Sequence, residues 1–101
     1  MRTLNFIVES DHLRKTGDFS HIVRGSHGWL ECSFSLSKDW DKTKIAAVFT
    51  SSGRDYPVIV TKGVCKIPDS VTKSKCFKVK LVGRKDSSER LTNQVLVEQE
   101  G

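Results

Sequence analysis

Three histidines and three cysteines are the side chains of this 101-residue chain best suited to proton transfer, nucleophilic attack or metal binding. His12, His21 and His27 fall in a polar stretch near the N-terminus, and no H-E-x-x-H or G-x-S-x-G sequence accompanies them. A histidine could act as base for a cysteine nucleophile. Cys32, however, lies on the apolar side of an alternating stretch, where a thiol behaves as a small buried hydrophobe. The histidines therefore read as loop residues. Cys32, Cys65 and Cys76 lack C-x-x-C spacing, and the nearest two are eleven positions apart, which argues against zinc. Gly25 and Gly28 flank Ser26-His27 without the lysine of a phosphate loop, and no run of spaced aspartates marks a calcium loop. The expectation is a chain with no enzymatic activity, no metal and no cofactor.

Charge is the other chemical signal. The net charge is +5, and from Lys62 to Lys85 eight basic residues face a single acid, Asp69. Within that stretch Lys78 and Lys80 alternate with Phe77, Val79 and Leu81, so bases and aromatics fall on opposite faces of a strand. Binding of single-stranded nucleic acid requires them on the same face, and no RNA-recognition aromatic motif is present. Nucleic acid is thus not the expected partner. Lys73, Lys75, Lys78 and Lys80 are expected instead to form a partner-binding surface for an acidic protein.

No apolar run approaches the ~18 residues of a membrane span, so no membrane association is expected. Glu9 and Asp11 interrupt the N-terminal apolar stretch too early for a signal-peptide core, and the odd number of cysteines suits reduced thiols. Both point to synthesis in a cytoplasm.

The elements that would position these residues are strands. Leu30, Cys32, Phe34 and Leu36 alternate with polar residues; Ile45–Phe49, Tyr56–Val60, Val64–Ile67, Cys76–Val82 and Leu91–Glu98 are further strands, and Leu4–Val8 is the first. Ile22-Val23 reads as a short edge strand in the otherwise polar segment 10–28. Ser51–Asp55 and Thr61-Lys62-Gly63 are tight turns, 83–89 a polar turn, and Pro68 ends its strand before one helical turn at Asp69–Thr72. No segment keeps a 3.6-residue period for three turns. The expected fold is all-β: one domain over 1–101, an immunoglobulin-like sandwich of about seven antiparallel strands. Trp40, in a polar loop after a strand, is expected to fold back and plug the end of the core.

The order of features also resembles a known family. Leu30-Glu31-Cys32-Ser33-Phe34-Ser35-Leu36 leads to Trp40 and Ala46-Ala47-Val48-Phe49. Then follow Asp55-Tyr56-Pro57-Val58-Ile59-Val60 and Val64-Cys65-Lys66-Ile67-Pro68. Cys76-Phe77-Lys78-Val79-Lys80-Leu81-Val82-Gly83 and Arg90-Leu91-Thr92-Asn93-Gln94-Val95-Leu96-Val97 complete the series. This resembles the immunoglobulin-like domain of bacteriophage head-fibre and capsid-decoration proteins, and of the N-terminus of phage baseplate upper proteins. The resemblance covers residues 29–98; residues 1–28 supply an N-terminal strand and a candidate attachment segment. It implies a virion structural protein, made in the host cytoplasm, whose partners are phage capsid or tail proteins. A chain opening at Met1 and one domain long favours capsid decoration over a tail or baseplate domain. Two other classes stand beside this reading. One is a host-surface carbohydrate-binding module stacking sugars on Trp29, Trp40 or Tyr56; the other is a small nucleic-acid-binding barrel.

Strand parity gives the first two of three further expectations, and hydrogen-bonding capacity the third. Phe34, Phe49, Phe77, Val79 and Leu81 should be buried. Cys32 should point inward and Cys76 outward, which forbids a bridge between them and predicts no intramolecular disulfide. Arg90 should bond carbonyls across the end of the sandwich, and Asn93 a local backbone group.

Overall fold

Arg2–Glu9 forms strand β1, and its alternation buries Leu4, Phe6 and Val8 on one side. A computed structural model describes all residues from Met1 to Gly101, and this strand opens its first sheet. At Ser10 the backbone takes a positive φ and doubles back into β2, His12–Thr16. Only Leu13 of β2 is buried, so its own pattern is silent, and pairing from Glu9–His12 to Asn5–Thr16 makes it a strand. His12 therefore stands on a strand rather than in a loop. Ile22 is buried as a core residue, but the expected edge strand at Ile22-Val23 reduces to one bridge between Val23 and Glu100.

β3, Leu30–Leu36, runs parallel to β1 and antiparallel to β6, Val64–Lys66, giving a four-stranded sheet in the order β2-β1-β3-β6. A 3₁₀ turn at Lys38–Trp40 carries the chain to the second sheet. There β4, Lys44–Ser51, and β5, Arg54–Val60, form a hairpin through Ser52-Gly53, both at positive φ, as a tightly twisted two-residue turn requires. The turn from β5 to β6 uses Gly63 at φ +77°. A side chain there would meet the Phe34 carbonyl oxygen at 2.9 Å, and the Gly63 carbonyl accepts the Phe34 N–H at 2.7 Å. After Pro68 the helical turn α1, Asp69–Thr72, leads into β7, Cys76–Lys85. β8, Ser88–Leu91, pairs with the C-terminal half of β7, and β9, Val95–Glu98, with its N-terminal half.

The result is an all-β sandwich of two sheets with nine strands rather than seven, and β1–β3 is a parallel pair in an otherwise antiparallel scheme. The polar turn expected over 83–89 shrinks to Asp86-Ser87, because β7 extends to Lys85. The expected final strand is broken at 92–94. There the Thr92 hydroxyl accepts the Leu81 N–H at 2.9 Å and donates to the Asn93 carbonyl at 2.9 Å. The Asn93 amide leaves the sheet altogether: its Oδ1 accepts the Leu13 N–H at 2.7 Å and its Nδ2 donates to the Leu13 carbonyl at 3.0 Å. The partner expected to be local thus lies in β2, eighty residues away.

Phe34, Phe49, Phe77, Val79 and Leu81 are all buried between the sheets, as their parity predicts. Phe6 stacks on Phe34 at 5.2 Å and Phe49 meets Phe77 edge-on at 5.9 Å, one aromatic pair from each sheet. Trp40 plugs the end of this core: it is buried, and its Nε1 donates to the Ser10 carbonyl at 2.6 Å. It lies against Gly83, where a Cβ would come within 2.6 Å of the indole. Arg90 places its guanidinium 5.4 Å from the Trp40 ring, and its buried Nη1 has no hydrogen-bond partner. The expected carbonyl contacts give way to a cation–π contact, because the indole occupies the end of the sandwich.

Candidate docking surface

The pleat of the five-stranded sheet sends Lys44, Ala46, Val48 and Thr50 of β4 outward, with their register partners on β5 and β7. Ile59, Ala46, Val82 and Leu91 stand directly opposite one another, so four strands contribute one continuous apolar row. Ile59 is 74% exposed and Leu91 51% exposed. Pro57 and Val48 extend the row on one side, and Leu96 adds an exposed apolar group near the end of the sheet. Isolated exposed hydrophobics are ordinary, whereas a contiguous apolar row is the kind of surface feature from which interaction sites are built.

Charge frames this row. Lys80 lies opposite Val48 and Lys78 opposite Thr50 on one side; Lys44 lies opposite Arg84 on the other. Four ion pairs exist in the molecule, and none involves a lysine. Arg84 is held by Glu89 at 3.2 Å, and Asp55 accepts the Thr50 hydroxyl at 2.8 Å. Lys44, Lys78 and Lys80 are therefore left uncompensated around an apolar centre.

Of the four lysines expected to bind a partner, Lys78 and Lys80 sit on this face. Lys73 caps α1 and Lys75 precedes β7, its carbonyl accepting the Gln99 N–H at 2.6 Å, so these two stand at the end of the sandwich. Sequence reasoning missed Lys44 and the whole apolar row. A signal was present: Ala46-Ala47-Val48, Val58-Ile59-Val60 and Leu81-Val82 are unbroken apolar runs, and such a strand is apolar on both faces.

The other candidate groups do not converge. His27 Nδ1 lies 3.3 Å from Asp69, and His21 Nδ1 lies 3.4 Å from Glu100, both at the surface. The Gly28 N–H donates to Asp69 at 3.0 Å and, with His27, holds that carboxyl below its usual range. Bonds from the side chain and backbone of Ser20 do the same for Asp18. No three His, Cys, Asp or Glu side chains are grouped to hold a metal ion, and no helix is long and apolar enough to cross a membrane. Trp29 is exposed just before β3, Trp40 buried in the 3₁₀ turn and Tyr56 half-buried on β5, so they build no common stacking platform. The segment expected to be an attachment arm is tied down: Gly25 N donates to Thr72 O, the Thr72 hydroxyl to Ser26 O, and Arg24 N to Glu100 O.

No known protein family matches the chain, and no curated protein or solved structure matches it either.

Proposed function

We propose that this chain is a non-enzymatic structural domain that docks on an assembled protein partner through the outer face of its five-stranded sheet. The assembly favoured is a bacteriophage capsid, with the chain as a decoration or head-fibre protein of immunoglobulin-like type. The observation that carries the docking role is the Ile59–Ala46–Val82–Leu91 row with uncompensated Lys44, Lys78 and Lys80 around it. An apolar centre with a charged rim is the anatomy of a protein interface. The fitting partner is an acidic protein surface with an apolar centre. Because the partner surface exists only on the assembled shell, binding stabilises that shell by mass action.

The virion assignment draws on the motif order. Its pieces fall on β6 and its exit at Cys65-x-Ile67-Pro68, on β7, and on the β8–β9 junction from Arg90 to Asn93. The test is co-sedimentation of the purified domain with particles of the phage whose genome encodes it. Binding to filled heads, abolished by Ile59→Asp with Leu91→Asp, is the expected result. Binding to tails alone would move the assignment to the tail or baseplate, and equal binding by the double variant would overturn this docking face.

A further inference from the structure

Cys32 and Cys65 face each other across β3 and β6. They are direct register partners, flanked by Glu31–Lys66 and Ser33–Val64. The Ile67 N–H donates to the Leu30 carbonyl at 3.0 Å and the Phe34 N–H to the Gly63 carbonyl at 2.7 Å. Those two bonds lie two residues to either side, so Cys32–Cys65 is a hydrogen-bonded position of the antiparallel ladder. Such positions hold Cα atoms about 5.5 Å apart, within the range of about 4.4–6.8 Å that disulfides adopt. Both thiols point into the core and are buried, and they are free.

We propose that Cys32 and Cys65 are an oxidative cross-linking site, a reduced pair that closes into a disulfide and clamps edge strand β6 onto β3. The remaining displacement is small. At a hydrogen-bonded position the opposed Cβ atoms stand near the wide end of about 4.5–5.5 Å, against about 3.5–4.5 Å in a disulfide, so closure requires about 1–2 Å. β6 can supply it, because it is three residues long and pairs with a sheet neighbour only on its β3 side.

Reactivity is gated by the fold. The hydrogen bond that the Cys32 thiol makes to Cys65 and then burial push it well above its ordinary pKa, so it stays protonated and slow to react while the strands are closed. Cys65, on the short edge strand, is the first to meet an oxidant when β6 frays. With a small disulfide such as oxidised glutathione, the Cys65 thiolate attacks one sulfur and expels one glutathione thiolate. The Cys32 thiolate then attacks the Cys65 sulfur of the mixed disulfide and expels the second. The two cysteine protons end on two glutathione thiols, and the two electrons lost by the protein have reduced one glutathione disulfide. A chain made in a reducing cytoplasm would be open there and closed after release into an oxidising medium. The cross-link itself does not depend on the docking proposal.

The test uses the purified, fully reduced chain incubated with oxidised glutathione under native conditions. Intact mass should fall by about 2 Da, the mass of the two hydrogens lost on closure. Peptide mapping should find Cys32 joined to Cys65, while Cys76 carries glutathione or an alkyl label. The oxidised form should melt at least about 5 °C higher, since the closed loop restricts the unfolded chain. Cys76→Ser should behave like the parent, and Cys65→Ser should lose both the cross-link and the shift. Alkylation of Cys32 and Cys65 after prolonged oxidation, a Cys32–Cys76 link, or a cross-linked form that melts no higher would each overturn the proposal.

Discussion

The two outer faces of this sandwich are built from the same pleat and differ in almost everything a partner would sense. On the four-stranded sheet the outward residues are mostly polar, among them Asn5, Thr16, Ser33 and Ser35, with Ile7 and Val64 apolar but not in one row, and Glu9, Arg14 and Glu31 there have partners. Thr3 donates to Glu31 at 2.9 Å, and Arg14 meets Glu9 at 3.2 Å. On the five-stranded sheet, aliphatic side chains fill a row across four strands and the neighbouring lysines make no ion pair. A satisfied polar face gains little from a partner, because each group would exchange one hydrogen bond for another. An apolar row with unpaired cations gains from both area removed from water and opposite charge. That difference is the ground on which docking is proposed for the five-stranded face.

Both faces depend on one core, so the harshest way to break the comparison is from inside. Phe77→Ala removes a ring packed against Phe49 and should cost about 3–5 kcal/mol, lowering the denaturation midpoint until the chain is barely folded. An unchanged midpoint would mean that the sheets do not share this core.

The direct test is to make the docking face resemble its counterpart. Ile59→Asp with Leu91→Asp should weaken particle binding at least about 30-fold, as loss of a buried interface anchor does, with stability nearly unchanged. Ser33→Asp with Ser35→Asp on the opposite face should leave binding intact. Equal losses from both pairs, read by sedimentation, would erase the distinction.

Asn93 allows one face to be perturbed without the other. Asn93→Ala leaves the Leu13 backbone groups unpaired and should cost about 1–3 kcal/mol. Hydrogen exchange should then accelerate in β2 first, while the five-stranded face keeps its binding. Faster exchange confined to β4 and β5 would contradict this anchoring of β2.

Replacing Lys44, Lys78 and Lys80 with glutamate should slow association about 10-fold at low salt, an effect that fades as ionic strength rises. The same change at Lys73 and Lys75 should matter less, because those residues stand at the sandwich end. A larger loss from the second pair would move the positive docking surface there.

The smallest effect concerns pH. Asp69 is held below its usual pKa by the Gly28 N–H and by His27, so its contribution is present above the unfolded carboxyl value. It is lost as pH falls through the lower folded value. The Gly28 amide should exchange more slowly in the parent than in Asp69→Asn at neutral pH, and the difference should disappear over that acid range; equal rates at neutral pH would speak against the carboxylate as anchor.

Much of this architecture could be read from residue types. Strand parity placed Phe77, Val79 and Leu81 inside, Lys78 and Lys80 outside, and Cys32 and Cys76 on opposite sides. Pro68 marked the end of β6, and Gly53 and Gly63 marked turns that take positive φ. The misses share a cause. β2 carries one buried residue and owes its existence to β1. The break at 92–94 exists because Thr92 and Asn93 bond groups remote in the chain. Arg90 meets the Trp40 indole rather than carbonyls, a contact set by where the chain folds Trp40 back.

What the sequence determined by itself is which way each side chain turns, because alternation along a strand is a property of the local backbone and survives any choice of neighbour. What only the tertiary structure decided is which side chains meet. Cys32 opposes Cys65, Asn93 reaches Leu13, and Ile59, Ala46, Val82 and Leu91 fall into one row through the registers of strands distant in sequence. Register is set by the packing of the whole core, and shifting one strand by two residues would keep every face correct while separating each of these partners.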